Sequence, residues 1–275
     1  MKVLERANAK INLFLDVTER REDGFHNIVS VMQSVSLCDT LTLDACYSDE
    51  TKIRLSCDDT SLPVDENNLI YKSALKYLAK FNISADINIE LEKRIPIGAG
   101  LGGGSSDAAA TLRALNCVFN LASESELLDL AAELGSDVPF CLIGGRALCT
   151  GRGEKVSPIL DYPVNYFVIA IGKERVSTPA AYRALDEKYD NFSKEGYTPK
   201  ECDGRMFNIF ESVTNISEIN EIKKIMAKYE AESAMMSGSG PSVFGIYADE
   251  SKARTATEAL IDQGFSAYYC HSSKG

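Results

Sequence analysis

The first clear alternation of apolar and polar positions falls at Ile11, Leu13 and Leu15, and it predicts a half-buried strand. A turn at Glu22, Asp23 and Gly24 separates it from a second strand-like run, Ile28 to Val35. Shorter strand signals follow at Leu41 to Leu43 and Ile53 to Leu55, divided by acidic, turn-rich sequence. The period then changes. Leu69, Leu75, Leu78 and Ala79 recur at helical spacing, which predicts a helix over Asn67 to Lys80. Strict alternation returns at Ile87, Ile89 and Leu91. Beyond a stretch of proline and glycine, Ser105 to Cys117 is rich in alanine and leucine and reads as helix. Glu124 to Leu134 reads as another, ended by Gly135.

In the second half, Phe167, Ile169 and Ile171 predict a strand, and Thr178-Pro179 a helix start, because proline is tolerated in the first turn. Ile219 to Tyr229 and Glu250 to Asp262 are helical in character, and Phe265 to Tyr269 is suited to closing a sheet. Strands and helices alternate without the regular spacing of strand-helix-strand units, so the pattern predicts an α+β fold in two lobes with a cleft between them. The expected boundary follows Gly153, where a lysine, a proline and polar residues intervene; it divides the chain into residues 1–155 and 156–275. No internal repeat or low-complexity tract is present.

Composition narrows the function classes. With 275 residues, 45% of them hydrophobic, the chain can bury a sizeable core in one large domain or two modest ones. A formal charge of -11 and no basic-aromatic surface pattern argue against nucleic acid, while leaving room for one local basic pocket. No run approaches the roughly 20 apolar residues of a membrane span. The N-terminus has no signal-peptide core, so the expected location is the cytoplasm, with no membrane partner. Eight scattered cysteines without a CxxC pair are expected to be reduced, buried thiols. With only His26 and His271, a histidine-rich metal site is excluded.

The strongest local signal is Pro96 to Leu112, PIGAGLGGGSSDAAATL. Gly98, Gly100, Gly102, Gly103 and Gly104 remove side chains that block close approach, and they permit left-handed backbone. Their N–H groups, with those opening the next helix, can turn toward an anion. Ser105 and Ser106 offer hydroxyls as caps or phosphate donors, and Asp107 can cap the first turn. A plain strand-to-helix turn would explain one or two of these glycines, not all five. No GxxxxGK[ST] is present, and the match of Gly98, Gly100 and Gly103 to GxGxxG stands alone, without the early strand-turn-helix of a dinucleotide fold.

Other segments supply candidate chemistry for phosphoryl transfer. Asp137, in Gly135-Ser136-Asp137-Val138-Pro139, lies between a helix end and an apolar, strand-like run. It is the first candidate to accept a proton from a substrate hydroxyl, the alternative being a turn or capping aspartate. Lys10 shares the first strand with Ile11 and Leu13 but faces the other way; it is either solvent-facing or placed to orient Asp137 and steady phosphoryl oxygens. Asn12 shares the face of Lys10 and can both donate and accept. His26 follows the Gly24-Phe25 turn and is either a packing residue or a group that stacks on, or bonds to, a base. Met236 to Ser242, MSGSGPS, reads as a second anion-friendly turn between a helix and a strand.

These segments, in order, resemble the GHMP kinase superfamily over nearly the full chain. The pieces are Ala9-Lys10-Ile11-Asn12-Leu13, Asp23-Gly24-Phe25-His26, Pro96 to Leu112, Gly135 to Pro139, Thr150 to Glu154, Val176-Ser177-Thr178 and Met236 to Ser242. The resemblance implies a two-lobed kinase with an ATP-binding N-terminal domain, 1–155, and a C-terminal domain, 156–275. It implies ATP with Mg2+, whose protein ligand is not assigned. Lys10 and Asp137 match the family's catalytic pair. Pro96, Ile97, Gly98, Ala99, Gly100, Leu101, Gly102, Gly103, Gly104, Ser105 and Ser106 match its ATP phosphate loop, and Asn67, Lys93 and the segment around Ala108 are candidate walls of an adenine pocket.

Within the family, Ala9 to Leu13 and Asp23 to His26 together resemble the branch whose acceptor is the diphosphocytidyl derivative of methylerythritol. That alcohol is phosphorylated at its 2-hydroxyl in non-mevalonate isoprenoid synthesis. Asn12 and His26 match substrate positions, with the histidine beside the cytosine. Phe25 departs from the family's usual tyrosine, which keeps the aromatic face and removes a phenolic hydrogen bond. A sibling kinase acting on mevalonate, homoserine or a sugar, and a noncatalytic nucleotide-binding regulator, stay open, as does the choice between monomer and homodimer.

Overall fold

The computed structural model describes residues 1–160, 164–189, 192, 202 and 204–274. Its longest elements are strands β1 (Lys2–Arg20) and β2 (His26–Tyr47), paired antiparallel. Asp23 closes the turn between them by accepting from the Phe25 amide and the Arg21 guanidinium. The runs 28–35 and 41–43 therefore belong to one strand. Polar Gln33, Ser34 and Asp39 interrupt its apolar pattern yet are buried, since the strand there passes from one set of neighbours to another. Its first part pairs with β5 (Arg146–Thr150) and its last part with β4 (Ala85–Glu92). Register breaks between Asn8 and Lys10 and between Asn12 and Phe14 sharpen the twist of β1 beside the glycine loop.

A seven-stranded sheet runs β3-β4-β2-β1-β8, with β3 at Lys52–Cys57 and β8 at Phe207–Asn208; β5 pairs β2 and carries β6 (Lys155–Ile159). β6 lies across the expected domain boundary, and β8 comes from the second half of the chain. Helices α1 (Leu69–Phe81), α2 (Gly103–Phe119) and α3 (Glu124–Leu134) cover one face, burying Ile70, Ala109, Leu112 and Leu115 against Leu41, Leu43, Ile87 and Ile89. Asn68 caps α1 through the Ile70 amide, and Ser123 and Glu126 form a capping box on α3. Val138 to Ile143, expected as strand-like, is the short helix α4 (Val138–Ile143), with Pro139 in the first turn where its missing N–H costs nothing.

The second sheet is antiparallel throughout, in the order β11 (Ser266–His271), β7 (Tyr166–Ile171), β10 (Val243–Tyr247) and β9 (Ser233–Met236). β7 is apolar on both faces. Phe167, Ile169 and Ile171 meet Ile11, Val31 and Leu101 of the larger sheet and its loop, while Val168 and Ala170 face helices α5 (Thr178–Lys188), α6 (Ser217–Lys228) and α7 (Glu250–Asp262). The fold is thus mixed α/β in two lobes, layered helix, sheet, sheet, helix. Each fully buried aliphatic or aromatic side chain at the sheet-sheet seam contributes about 1.5–3 kcal/mol, which makes that seam a firm floor for the cleft.

Two further expectations change. Met236 to Ser242 joins β9 to β10 and not a helix to a strand. Cys149, Cys202 and Cys270 are buried, but Cys46 and Cys117 are exposed. Among the described residues no helix is long and apolar enough to cross a membrane.

Candidate active site

The glycine loop lies between the two sheets and is tied to both. The Lys10 amide donates to the Leu101 carbonyl at 2.9 Å, and the Ser242 amide donates to the Ala99 carbonyl at 3.3 Å. Ala99 and Leu101 turn their side chains into the seam, 1% exposed each, so the alternate positions of the loop present bare backbone. At Gly100 a β-carbon would stand 2.6 Å from the Ser237 carbonyl oxygen. At Gly102 (φ +69°) it would stand 2.8 Å from Lys10 Cγ. Only glycine fits either place.

Helix α2 begins directly after this loop. Gly102 at its N-cap offers no side-chain bond, and the first intrahelical bond runs from the Ser106 amide to the Gly102 carbonyl. The N–H groups of Gly103, Gly104 and Ser105 therefore have no partner within the helix, at its electropositive end. Pro96 to Ser105 all line a cavity of about 340 Å³, together with Asn67 and Lys93. Ser106 does not. Its hydroxyl donates to the Asn8 carbonyl and the residue is 1% exposed, turned away from the cavity that the rest of the loop lines. Of the segment around Ala108, Asp107 lines the cavity, while Ala108 itself packs in the helix-sheet core.

Asp107 does not cap α2. Its Oδ2 accepts from Lys93 Nζ at 2.6 Å, and Lys93 also bonds Asp39, which in turn accepts from the Arg94 and Ile95 amides. All three side chains are nearly buried. Asp107 Oδ1 has no partner, and burial together with the neighbouring Asp39 pushes its carboxyl up to about 7, against the pull of Lys93. The cluster braces the β2 crossing point against the chain entering the loop.

A second cavity, of about 650 Å³, meets the first at Gly100, Gly102 and Ser105. At that junction Lys10 Nζ lies 3.4 Å from Asp137 Oδ2 and donates to Asn12 Oδ1 at 2.7 Å. Lys10 is 5% exposed, which replaces the solvent-facing alternative. Asn12 is fixed in turn by Ser30, through a 2.8 Å bond from Nδ2 to Oγ. Asp137 occupies the N-cap position of α4 but makes no capping bond, so its carboxylate stays directed to Lys10 and the cavity. Gly238, from the β9–β10 loop, comes within the reach of Asn12 and Lys10, and Ser239 Oγ bonds Thr178 Oγ1 at 2.8 Å at the start of α5.

The far end of this cavity holds His26. Its side chain is 6% exposed; the ring stacks on Tyr182 with centroids 4.7 Å apart and brings Nε2 to 2.7 Å from Asp186 Oδ1. Phe25, 52% exposed, lies under the Arg152 guanidinium at 5.0 Å. The cavity carries Lys10, Arg20, Arg152 and Arg183 against Asp137 and Asp186, a local cationic excess in an acidic chain. Sequence reasoning found Lys10, Asn12, His26 and Asp137, which the fold brings to one cleft. It missed Arg20, Arg152, Tyr182, Arg183 and Asp186 as cavity walls. The helix signal at Thr178 placed α5 without showing which face meets the cleft.

Two glycine-lined cavities that share a helix N-terminus, with a Lys-Asp pair on the larger one where they meet, make the site of a kinase of small alcohols. Residues 68–145 match the model of the GHMP kinases N-terminal domain and residues 202–266 that of the GHMP kinases C-terminal domain. The chain belongs to the GHMP kinase family. It is 42% identical over 274 residues to the 4-diphosphocytidyl-2-C-methyl-D-erythritol kinase of Bacillus subtilis (strain 168), covering 94% of this chain and 93% of the relative. A crystal structure of 4-(cytidine 5'-diphospho)-2C-methyl-D-erythritol kinase superposes with a TM-score of 0.85 at 33% identity, covering 99% and 100% of the two chains. The L. major mevalonate kinase in complex with R-mevalonate, at 15% identity, has a TM-score of 0.72 over 99% of this chain and 97% of its own, and shares the fold alone.

Proposed function

We propose that this kinase transfers the γ-phosphoryl group of ATP to the 2-hydroxyl of 4-diphosphocytidyl-2-C-methyl-D-erythritol. The observation that carries the reading is the Lys10–Asp137 pair at the junction of the two cavities, with His26 and the arginines at the acceptor end. ATP phosphates rest on the free amides of Gly103, Gly104 and Ser105, and the base extends toward Asn67 and Lys93. The acceptor lies along the larger cavity, its base end at His26 and its alcohol at Asp137.

As the alcohol oxygen bonds to the γ-phosphorus and the bond to the ADP oxygen breaks, Asp137 takes the hydroxyl proton. Proton transfer falls late in a loose transition state, so an ordinary carboxylate suffices. Lys10, held by Asn12, stays beside Asp137 and places positive charge where the equatorial phosphoryl oxygens gather it. Among the described residues no group of three or more His, Cys, Asp or Glu side chains is placed to hold a metal ion alone. Mg2+ bound to nucleotide phosphates needs only one or two protein oxygens, which Asp137 and Ser105, on the same cavity, fit. When bound, the ion neutralises charge on the β- and γ-phosphates.

The test is turnover with ATP and Mg2+ against a panel of alcohols. Phosphorylation of the diphosphocytidyl alcohol, and of no other, is the expected result; turnover of homoserine or mevalonate without it rejects the acceptor assignment. Asp137→Asn is expected to lower kcat by about 10²-fold or more while ATP affinity stays near wild type. An equal loss of ATP binding would make Asp137 structural.

A further inference from the structure

Outside the reacting centre, the best-defined polar contact in the acceptor cavity is one that sequence reasoning missed, between His26 and Asp186. Nε2 of His26 lies 2.7 Å from Asp186 Oδ1. An ionised carboxylate only accepts, so in the neutral imidazole the proton sits on Nε2, and Nδ1 is left as a lone-pair acceptor. Nδ1 has no hydrogen-bond partner among the described residues, although the ring lines the cavity.

The ring cannot readily turn to exchange its two nitrogens. Tyr182 stacks on one face, with an interplanar angle of 24°, and Phe192 meets it edge-on at 5.7 Å. Tyr182 and Asp186 are four residues apart on α5, so one face of one helix supplies both the stack and the acceptor. Arg20 Nε approaches the second carboxylate oxygen at 3.7 Å, which opposes rotation of Asp186 away from the imidazole.

We propose that Asp186 is a specificity-determining residue that fixes His26 as an acceptor at Nδ1, and thereby selects cytosine over uracil at the acceptor end of the cavity. The inference rests on the cytidine-bearing acceptor proposed above. Cytosine presents its 4-amino group as a donor, whereas uracil presents a carbonyl oxygen at the same position. A lone pair at Nδ1 meets the first with a hydrogen bond and faces the second with another lone pair. Leaving two desolvated acceptors opposed costs roughly 10- to 100-fold in binding. Asp186 touches no reacting atom; it is a positioning residue acting through His26.

The experiment has a spectroscopic and a kinetic arm. The chain contains only His26 and His271, so long-range 15N-1H correlation spectra of the imidazoles resolve the tautomer of each. In the wild-type protein the neutral imidazole of His26 is expected as the Nε2–H tautomer, and in Asp186→Ala as a mixture of tautomers. In the kinetic arm, kcat and KM are measured with cytidine- and uridine-diphospho-methylerythritol. Wild type is expected to prefer the cytidine compound, and Asp186→Ala to lose at least tenfold of that preference. The loss should lie mainly in KM, with kcat for the cytidine compound within about threefold, since Lys10 and Asp137 are untouched.

An Nδ1–H tautomer in the wild type would overturn the proposal, and this reading requires no variant to fold. Discrimination that survives Asp186→Ala would also overturn it, while leaving the cytidine acceptor standing. If neither diphospho compound reacts but another alcohol does, the functional reading fails, and with it the base selectivity.

Discussion

Replacing Gly102 with alanine separates the two demands that the glycine loop makes on its backbone. Gly102 has φ +69°, and an added β-carbon would lie 2.8 Å from Lys10 Cγ and 3.3 Å from Cε. Gly98 has nearly the same backbone, φ +67°, with nothing within 4 Å of its would-be β-carbon. Alanine in left-handed backbone costs about 1–2 kcal/mol, which both variants incur. Only Gly102→Ala adds overpacking, worth about 1–3 kcal/mol. Carbon atoms rest at about 3.5–4.0 Å, so Lys10 must retreat by roughly 1 Å. The clashing atom is near the root of the side chain, so rotating the far end gives no relief. A shift of that size in a group that positions the reacting atoms costs about 10²-fold in rate.

Urea melts should therefore show Gly102→Ala less stable than Gly98→Ala by about 1–3 kcal/mol. At saturating ATP and acceptor, kcat should fall by about 10²-fold in Gly102→Ala. Equal stabilities for the two variants, with kcat of Gly102→Ala within twofold of wild type, would refute the claim that Lys10 is held in place by the bare backbone of the loop.

Two more outcomes can be checked without the acceptor. Asp107 keeps its proton in the fold from its ordinary 3.8 up to about 7, so across that window the folded state binds more protons than the unfolded one. Its contribution to stability therefore falls as pH rises, and the difference between wild type and Asp107→Asn in urea melts should move against wild type from pH 5 to pH 8; a constant difference would reject the raised value. A thiol reagent applied to the native protein should label exposed Cys46 and Cys117 first. Buried Cys149 and Cys270, whose thiols burial pushes upward, should react only on unfolding, as mass spectrometry of the labelled peptides can show.

Much of the fold was legible in local periodicity. Alternation at Ile87, Ile89 and Leu91 marked β4, because that strand shows one face to a core and one to water; the helical spacing of Leu75, Leu78 and Ala79 marked α1 but not its core face, since Leu75 and Ala79 are exposed and the helix buries Ile70, Ala74, Tyr77 and Leu78. Periodicity fails where polar residues are buried for reasons outside their own strand. Asp39 sits in mid-β2 because the Arg94 and Ile95 amides need its carboxylate, a demand placed by residues far along the chain. The apolar run Val138 to Ile143 is too short for its period to separate helix from strand. In the site, Lys10, Asn12 and the glycines were found because their types are unusual for their surroundings. Tyr182, Arg183 and Asp186 were not, since on an exposed-looking helix such residues are ordinary. Asp107 looked like a cap, and only the three-dimensional position of Lys93 shows it to be one of three members of a buried cluster with Asp39.

The β1–β2 hairpin gives the site an unusual genetic layout. Lys10, Asn12, His26 and Ser30 lie within a single stretch of 21 residues, numbered 10–30, that forms one side of the larger cavity, whereas the glycine-loop amides lie in another, 96–105. The larger cavity is thus written in several places in the gene, the hairpin and the residues from Asp137 to Asp186 among them, whereas the glycine loop is a single contiguous word. A change in the hairpin must therefore stay compatible with three separate partners at once: Leu101 through the Lys10 amide, Asp137 through the Lys10 side chain, and Asp186 through His26.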